Sequence, residues 1–245
     1  WWVTLHHLMP QQEYRYQYFV DGNLYIADPY TDKILDQNND QYISSATYPN
    51  LIAYPAGQAT GNVSIFQTAQ TAYAWQDAGY LKPGQSSLVV YELLIRDFIG
   101  AHDYKTLQDT LSYLKTLGVN AIELMPITEF SGNLSWGYNP IFFFAPDKYY
   151  GPKTDLKGFI DMCHQNGMAV VQDIVFNQAD DASPMCQLYW DAANSQPAAD
   201  NPWFNPVAPH PFSVFNDFNH ESTYTQKFVD DVLNYWVTQY HMDGF

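Results

Sequence analysis

The chain has 245 residues, and 47% of them are hydrophobic, so it can bury a substantial core and is not predicted to be disordered. Its 26 acidic and 10 basic residues give a net charge of −16, which repels phosphate backbones and excludes nucleic acid as an expected partner. No apolar run is long enough to cross a bilayer, and two cysteines do not make a disulfide framework, so membrane insertion and a disulfide scaffold are excluded as well.

The first predicted elements form a β-hairpin. Residues 14–20 are predicted to be a strand, residues 21–23 (DGN) fit a hairpin turn, and residues 24–26 form the return strand. Residues 1–30 are too few for a β-sandwich, and we interpret them as the tail of one. Residues 31–85 are polar with scattered glycine and proline, which is typical of a connecting region.

The first five residues lack the basic start and the cleavage site of a signal peptide. We interpret them as a strand that is already under way, so the sequence indicates no compartment. Aromatic residues make up 17% of the chain. Their flat faces suit stacking on sugar rings, although the simpler use of such residues is to fill β-sheet cores.

From Ser86 onward, strands and helices alternate. Residues 88–95, 121–126 and 168–175 are short, largely apolar runs, as expected for strands that are buried on both faces. Apolar residues at helical spacing predict three helices, with stripes of Tyr104, Leu107, Leu111, Leu114 and Leu117, then Leu156, Phe159, Ile160 and Cys163, then Phe228, Val232, Trp236 and Tyr240. A fourth strand opens at residues 241–245. This order predicts a parallel sheet.

The ends of the first helix carry recognisable signals, because Asp103 is a plausible N-cap and Gly118 a plausible stop. Cys163 is predicted to be a buried thiol. The pattern fits a barrel and a doubly wound sheet equally well, and in both folds function resides at the carboxyl ends of the strands. The loops after the second and third strands, including the long segment 179–220, are therefore the first places to look for a site.

Several common chemistries have no motif here, since the sequence contains no glycine-rich phosphate loop, no G-x-S-x-G turn and no H-E-x-x-H. Asp173 and Asn177 remain as candidates at the end of the third strand. An acidic group at this position can anchor a cation or a neighbouring arginine. It can equally close the strand by capping backbone N–H groups, and the spacing leaves both alternatives open.

Several segments together resemble the α-amylase superfamily. Residues 173–178 (DIVFNQ) resemble its first signature, Asp-x-x-x-Asn-His, and residues 243–245 (DGF) resemble the opening of its second, which continues Arg-x-Asp. Residues 118–126 resemble its second barrel strand, and residues 136–151 resemble the loop that follows. The N-terminal β segment is similar to the sandwich domain that precedes the barrel in branching and debranching members. Each motif is short, but their order and intervals are specific.

The resemblance implies an α/β fold, namely the first half of a (β/α)8 TIM barrel preceded by the tail of a β-sandwich domain. Residues 1–30 would be the last strands of that carbohydrate-binding-like sandwich, and residues 31–85 would connect it to the barrel. Residues 86–245 would be the first part of the catalytic barrel, with an insert loop at 179–220 after the third strand.

The resemblance also implies roles for individual residues. Tyr138 matches the tyrosine that stacks on the sugar at the cleavage subsite, and Trp136 in the same motif is grouped with it as substrate-binding. Asp173 matches the aspartate that pairs with the arginine of the second signature. Asn177 matches an asparagine that binds calcium in many members, so calcium is a possible ligand, although no cofactor is required.

Gln178 departs from the family pattern, which has a histidine that hydrogen-bonds the sugar's primary hydroxyl. A glutamine amide has similar reach and can still donate, but it cannot carry a proton. We expect weaker transition-state binding by roughly 1–2 kcal/mol, the scale of one hydrogen bond. The alternative is a natural variant with compensating neighbours.

The implied activity is retaining hydrolysis or transglycosylation of α-glucosidic bonds in starch- or glycogen-like glucans, with an α-glucan polysaccharide or oligosaccharide as partner. This chemistry needs two carboxyl groups about 5–5.5 Å apart. In the family both come from later strands, so the nucleophile and general acid are expected after Phe245, and the chain is expected to be part of a longer protein that is inactive without them. The alternatives are a 1,4-α-glucan branching enzyme, a non-catalytic glucan-binding relative, and an unrelated parallel α/β domain.

Overall fold

The computed structural model describes residues 2–245. Its strands are β1 (Glu13–Tyr16), β2 (Tyr18–Val20), β3 (Leu24–Ile26), β4 (Ile34–Leu35), β5 (Val63–Gln67), β6 (Val90–Leu93), β7 (Ala121–Leu124), β8 (Thr128–Phe130), β9 (Pro140–Pro146), β10 (Ala169–Gln172), β11 (Gln178–Ala179), β12 (Trp190–Asp191), β13 (Gln196–Pro197) and β14 (Asn216–Asp217). Its α-helices are α1 (Ile95–Phe98), α2 (Tyr104–Leu107), α3 (Leu111–Thr116), α4 (Lys153–Gln165), α5 (Pro184–Leu188) and α6 (Thr223–Tyr240).

The centre of the molecule is a parallel sheet in the order β10-β7-β6. Tyr91 pairs with Ile122, and Ile122 pairs in turn with Val170, so the three strands run side by side without a shift in register. Val171 also forms a parallel bridge to Gly244, where the predicted fourth strand opens. The prediction that the strands near Leu88, Ala121 and Val170 are parallel neighbours is confirmed.

The main core lies between this sheet and the helices, and most of the predicted helical stripes are buried in it. Fully or almost fully buried members include Leu107, Leu114, Phe159 and Cys163 of the first two stripes and all four members of the third. Leu117 is an exception at 52% exposure, because α3 ends at Thr116 and Gly118 then takes a φ of +83°.

One predicted boundary is corrected by the backbone. β6 ends at Leu93 and α1 begins at Ile95, so the strand predicted over 88–95 is too long at its carboxyl end. The other predicted signals hold: the Asp103 side chain accepts a hydrogen bond of 2.6 Å from the Thr106 amide and caps α2. Cys163 is a buried free thiol, as predicted.

The N-terminal hairpin forms as predicted, with β2 antiparallel to β3 and positive φ angles at Asp21 and Gly22 in the turn. However, the strand predicted over 14–20 is interrupted at Gln17, because β1 pairs with β5 while β2 pairs with β3. The strand expected in the first five residues is not observed in the described ones, since residues 2–12 lie outside the strands and Trp1 is outside the described residues.

The segment 31–85, predicted to be a connecting region, instead supplies two strands of an antiparallel sheet in the order β1-β5-β4. Asp40 of this segment also reaches into a buried ionic cluster, where Lys148 pairs with Glu129 and lies 3.3 Å from Asp40. The sheet therefore crosses the predicted boundary at residue 30. Strands as short as β4 leave too few alternating positions for sequence periodicity to detect.

Segment 179–220 is an excursion with little regular structure, as predicted, although it contains α5, the β12-β13 hairpin and a pairing between β11 and β14. It is joined to β9 by a 3.0 Å hydrogen bond from the Asp180 amide to the Pro140 carbonyl. Among residues 2–245, no helix combines the length and the apolar character that crossing a membrane requires.

Candidate functional site

Three carboxylates lie on one face of the parallel sheet. Glu92 of β6 and Glu123 of β7 are direct partners in register, and Val171 of β10 is the next partner across. Because strand side chains alternate between faces, Asp173, two residues after Val171, belongs to the same face. Burial raises the pKa of Glu123, and the charges of Glu92 and Asp173 raise it further. This face is therefore acidic and suits sugar hydroxyls or a cationic side chain.

Tyr138 and Asp173, both predicted site residues, are brought together at this edge. The Tyr138 hydroxyl donates a hydrogen bond of 2.6 Å to Asp173 Oδ2. Burial, together with the hydrogen bond to Asp173 and its charge, raises the pKa of Tyr138 well above its ordinary value. The Tyr138 hydroxyl therefore stays protonated at neutral pH and acts as a hydrogen-bond donor. It holds one oxygen of Asp173, and the other oxygen stays available.

Tyr138 is positioned by the loop between β8 and β9. Gly137 has a φ of +90°, and a Cβ there would come within 2.7 Å of the Pro126 carbonyl oxygen, so the loop is packed directly on the end of the second strand. The Ser135 hydroxyl accepts a 3.0 Å hydrogen bond from the Gly137 amide, and Arg96 Nη1 donates at 3.0 Å to the Ser135 carbonyl. At position 137, only glycine allows the loop to lie this close to Pro126.

Gln178 supports the same loop from the other side. Its Nε2 donates at 2.8 Å to the Tyr138 carbonyl, and its Oε1 accepts at 2.7 Å from Asn177 Nδ2. The side chain is buried, with 7% exposure. Each polar end of Gln178 thus makes one hydrogen bond within the protein, while the second N–H of its amide stays available, and the sugar contact implied by the resemblance stays a prediction.

The remaining two candidates lie at the edge of this network. Trp136 is 62% exposed in the same loop, where its ring is free to contact a ligand. Asn177 is exposed and uses its amide nitrogen for Gln178, which leaves one amide oxygen. Within residues 2–245 no group of three or more histidine, cysteine or acidic side chains is arranged to hold a metal ion. Calcium at Asn177 therefore stays a prediction that rests on the resemblance, since calcium is also bound by amide and backbone carbonyl oxygens.

Glu92, Glu123 and Arg96 were not predicted from the sequence. The signal for the two glutamates is a charged residue inside an otherwise apolar strand, a pattern that buried strands avoid unless the charge faces a site. Nothing in the local sequence predicts the role of Arg96 in this loop, because its Nη1 donates to a backbone carbonyl 39 residues away.

A second polar cluster lies at the opposite, amino end of β10. His164 Nδ1 is 3.0 Å from Asp77 Oδ2, and His164 Nε2 is 2.9 Å from Asp243 Oδ2. The same oxygen of Asp243 accepts from the Val170 amide at 2.8 Å. Tyr80 stacks on the His164 ring at 4.1 Å and donates to Asp243 Oδ1 at 3.1 Å. This cluster ties the segment before β6 to the strand that opens at Asp243.

Known proteins resemble the chain in sequence and in fold. The family model for the α-amylase catalytic domain matches residues 54–245. Malto-oligosyltrehalose trehalohydrolase of Saccharolobus solfataricus is 28% identical over 91% of this chain and 36% of its own length. Isoamylase SU1 of Zea mays is 30% identical over 94% of this chain and 31% of its own. The chain therefore spans about a third of the length of these relatives.

A solved structure shows the same backbone arrangement. The crystal structure of pullulanase type I from Bacillus subtilis, complexed with maltose, superposes with a TM-score of 0.60 and 27% identity. The match covers 76% of this chain and 30% of the pullulanase chain.

Proposed function

Because the chain belongs to the α-amylase family, we propose that the full protein cleaves α-glucosidic bonds in starch- or glycogen-like glucans, by hydrolysis or by transfer to another sugar. The observation that carries the proposal is the Tyr138–Asp173 hydrogen bond at the carboxyl end of the sheet. The relatives' names support it: isoamylase, pullulanase and malto-oligosyltrehalose trehalohydrolase are enzymes named for α-glucan substrates or products.

Each residue has a separate task in this proposal. The Tyr138 ring stacks on the sugar at the bond to be cleaved, while its hydroxyl holds Asp173. The free oxygen of Asp173 accepts from a cationic side chain, which positions the reacting carboxylate. Gln178 acts through Tyr138 as a positioning residue, and Trp136 offers a further stacking surface. Cleavage with retention needs two carboxyl groups about 5–5.5 Å apart. We propose that both belong to later strands of the full-length protein, as they do in the family.

We further propose that the parallel sheet is the first part of a (β/α)8 barrel. The support is the uninterrupted register of β6, β7 and β10 and the bridge to Gly244, which together follow the order expected of consecutive barrel strands. The antiparallel sheet over residues 13–67 would then belong to a preceding β-sandwich domain, a larger share of it than residues 1–30 alone.

The experiment is incubation of the full-length protein with amylose and with amylopectin, followed by product analysis. Hydrolysis releases new reducing ends and shortens the chains, whereas branching adds α-1,6 linkages without net loss of glucosidic bonds. A folded protein that binds amylose and amylopectin but leaves the α-1,4 and α-1,6 linkages of both unchanged would refute the proposal in favour of a non-catalytic glucan-binding relative.

A further inference from the structure

A cavity of about 610 Å³ lies between the N-terminal hairpin and the excursion, away from the Tyr138–Asp173 site. Its wall is formed by β3, by the turn before β5, and by the first part of the excursion around α5. The residues whose chemistry matters are Tyr25, Asn62, Asp181, Gln187 and Trp190. We call this space the hairpin cavity. It shares no lining residue with the Tyr138–Asp173 network.

Tyr25 gives the hairpin cavity a flat aromatic wall. Its ring is 55% exposed and is stacked on Phe19, with centroids 4.3 Å apart and planes 21° from parallel. Because the neighbouring strand holds the ring, little conformational freedom is lost when a ligand packs against it. Tyr25 also lines an adjoining cavity of about 270 Å³, so one ring borders two consecutive spaces. Trp190, in the β12-β13 hairpin, supplies a second large aromatic surface.

Hydrogen-bonding groups surround these rings. Asn62 and Gln187 contribute neutral amides, which both donate and accept. Asp181 contributes a carboxylate that is fixed by a 2.8 Å hydrogen bond from Asn216 Nδ2. The turn that carries Asn62 is held through its backbone, since Gln17 Nε2 donates at 2.8 Å to each of the carbonyls of Thr60 and Asn62.

We propose that the hairpin cavity is a second carbohydrate-binding site, which holds a segment of an α-glucan chain outside the cleavage site. Its volume lies within the range of about 300–1,000 Å³ typical of small-molecule sites. Aromatic faces with amide and carboxylate groups match the alternation of apolar ring faces and hydroxyls in a sugar. Among its lining residues, all within 2–245, there is no lysine, arginine or histidine, which disfavours a phosphorylated ligand.

The identity of the ligand rests on the proposed function, since the substrate of the cleavage site sets the sugar. The site adds affinity for polymers by holding a second part of the same chain, and it adds nothing for a substrate too short to reach it. Variants of the hairpin cavity should therefore bind polymers more weakly while they cleave short substrates at an unchanged rate.

The test uses the full-length protein with Tyr25→Ala and Tyr25→Phe, and with Tyr113→Ala as the control. Tyr113 lies on α3 outside the hairpin cavity, and its 54% exposure matches the 55% of Tyr25. Binding is measured as retardation in native gels that contain soluble starch, and catalysis as kcat/KM on an activated maltoside. We expect Tyr25→Ala to weaken starch binding by roughly fivefold, the scale of one aromatic stacking contact. Tyr25→Phe should retain most of the binding, and Tyr113→Ala should change neither quantity.

The outcomes are distinct. Unchanged starch binding in folded Tyr25→Ala overturns the proposal, and so does an equal loss on starch and on the short maltoside, which would place Tyr25 in the cleavage site itself. If Tyr25→Ala does not fold, Gln187→Ala is measured in the same two assays, with the same expected separation. A wild-type protein that is retarded by starch through Tyr25 but cleaves nothing would refute the proposed function and still support this binding site.

Discussion

The Tyr138 hydroxyl lies 2.6 Å from Asp173 Oδ2, which joins the loop between β8 and β9 to the carboxyl end of β10. These two residues are 35 positions apart in the chain and come from different elements. The contact therefore depends on the correct pairing of β7 with β10 and on the packing of the loop. The geometry of the candidate site therefore forms only when both parts of the fold are in place.

Removing this hydroxyl tests its contribution without removing the ring. Tyr138→Phe keeps the stacking face but leaves Asp173 without its donor, and a hydrogen bond to a charged group contributes about 1.5–3 kcal/mol. We expect kcat/KM of the full-length enzyme on a maltooligosaccharide to fall roughly ten- to hundredfold. Tyr113→Phe, on the exposed face of α3, is the control. An unchanged kcat/KM in Tyr138→Phe would show that the bond plays no part in catalysis.

Gly137 tests the packing of the loop. Gly137→Ala adds a Cβ within 2.7 Å of Pro126 atoms, at a φ that L residues avoid, and should lower both activity and stability. Gly132→Ala is the matched control, because Gly132 lies in the same loop at a φ of +80° with open space around its Cβ position. We expect a larger fall in kcat/KM for Gly137→Ala than for Gly132→Ala. Equal effects would mean that backbone strain alone, rather than the contact with Pro126, accounts for the loss.

The His164 cluster predicts a pH dependence of stability. Burial lowers the pKa of His164, but the hydrogen bonds and charges of Asp243 and Asp77 outweigh it and hold the pKa above its ordinary value of 6.5. A raised pKa means that the charged form stabilises the fold. This stabilisation is complete below about pH 6.5 and is lost as the pH rises through the raised pKa.

The measurement is the thermal unfolding midpoint of the full-length protein as a function of pH. The midpoint of the wild type should fall as the pH rises above 6.5, and His164→Gln should remove that part of the dependence. His6→Gln, at an exposed histidine, should leave the profile unchanged. The neighbouring Tyr80 and Cys163 have raised pKa values and stay protonated over this range. A wild-type midpoint that rises over the same range would contradict the assignment.

The buried cluster around Lys148 should be sensitive to the loss of its only ammonium group. Lys148 is 3% exposed and faces Glu129 and Asp40, so Lys148→Met leaves two buried carboxylates without a countercharge. We expect a loss of roughly 3–5 kcal/mol in the free energy of unfolding. Lys227→Met removes an ammonium that is 67% exposed beside Asp231 and should cost at most about 1 kcal/mol. The free energy of unfolding is measured in urea for both variants. Similar losses in the two would contradict the idea that burial makes the Lys148 cluster more sensitive.

The elements with strong periodicity were predictable from the sequence, and the short ones were not. Leu107, Phe159 and Trp236 recur at helical spacing and are buried as expected. β4 and β5 were not predicted, because their place in the sheet depends on the pairing of β5 with β1 and of β4 with β5, between segments far apart in the chain. The same limit applies to the site. The resemblance selected Tyr138 and Asp173, but their contact and the burial of Gln178 depend on packing between distant segments.

The central claim is that the full-length protein cleaves α-glucosidic bonds with retention of configuration. The most direct test is proton NMR of its reaction with maltoheptaose and with a branched maltooligosaccharide, which follows the anomeric signals of the products from the first turnover. We predict that the α-anomer of the new reducing end appears first and converts to the β-anomer only by mutarotation. Initial formation of the β-anomer would contradict the claim, and so would a folded protein that binds but cleaves neither maltoheptaose nor a branched maltooligosaccharide.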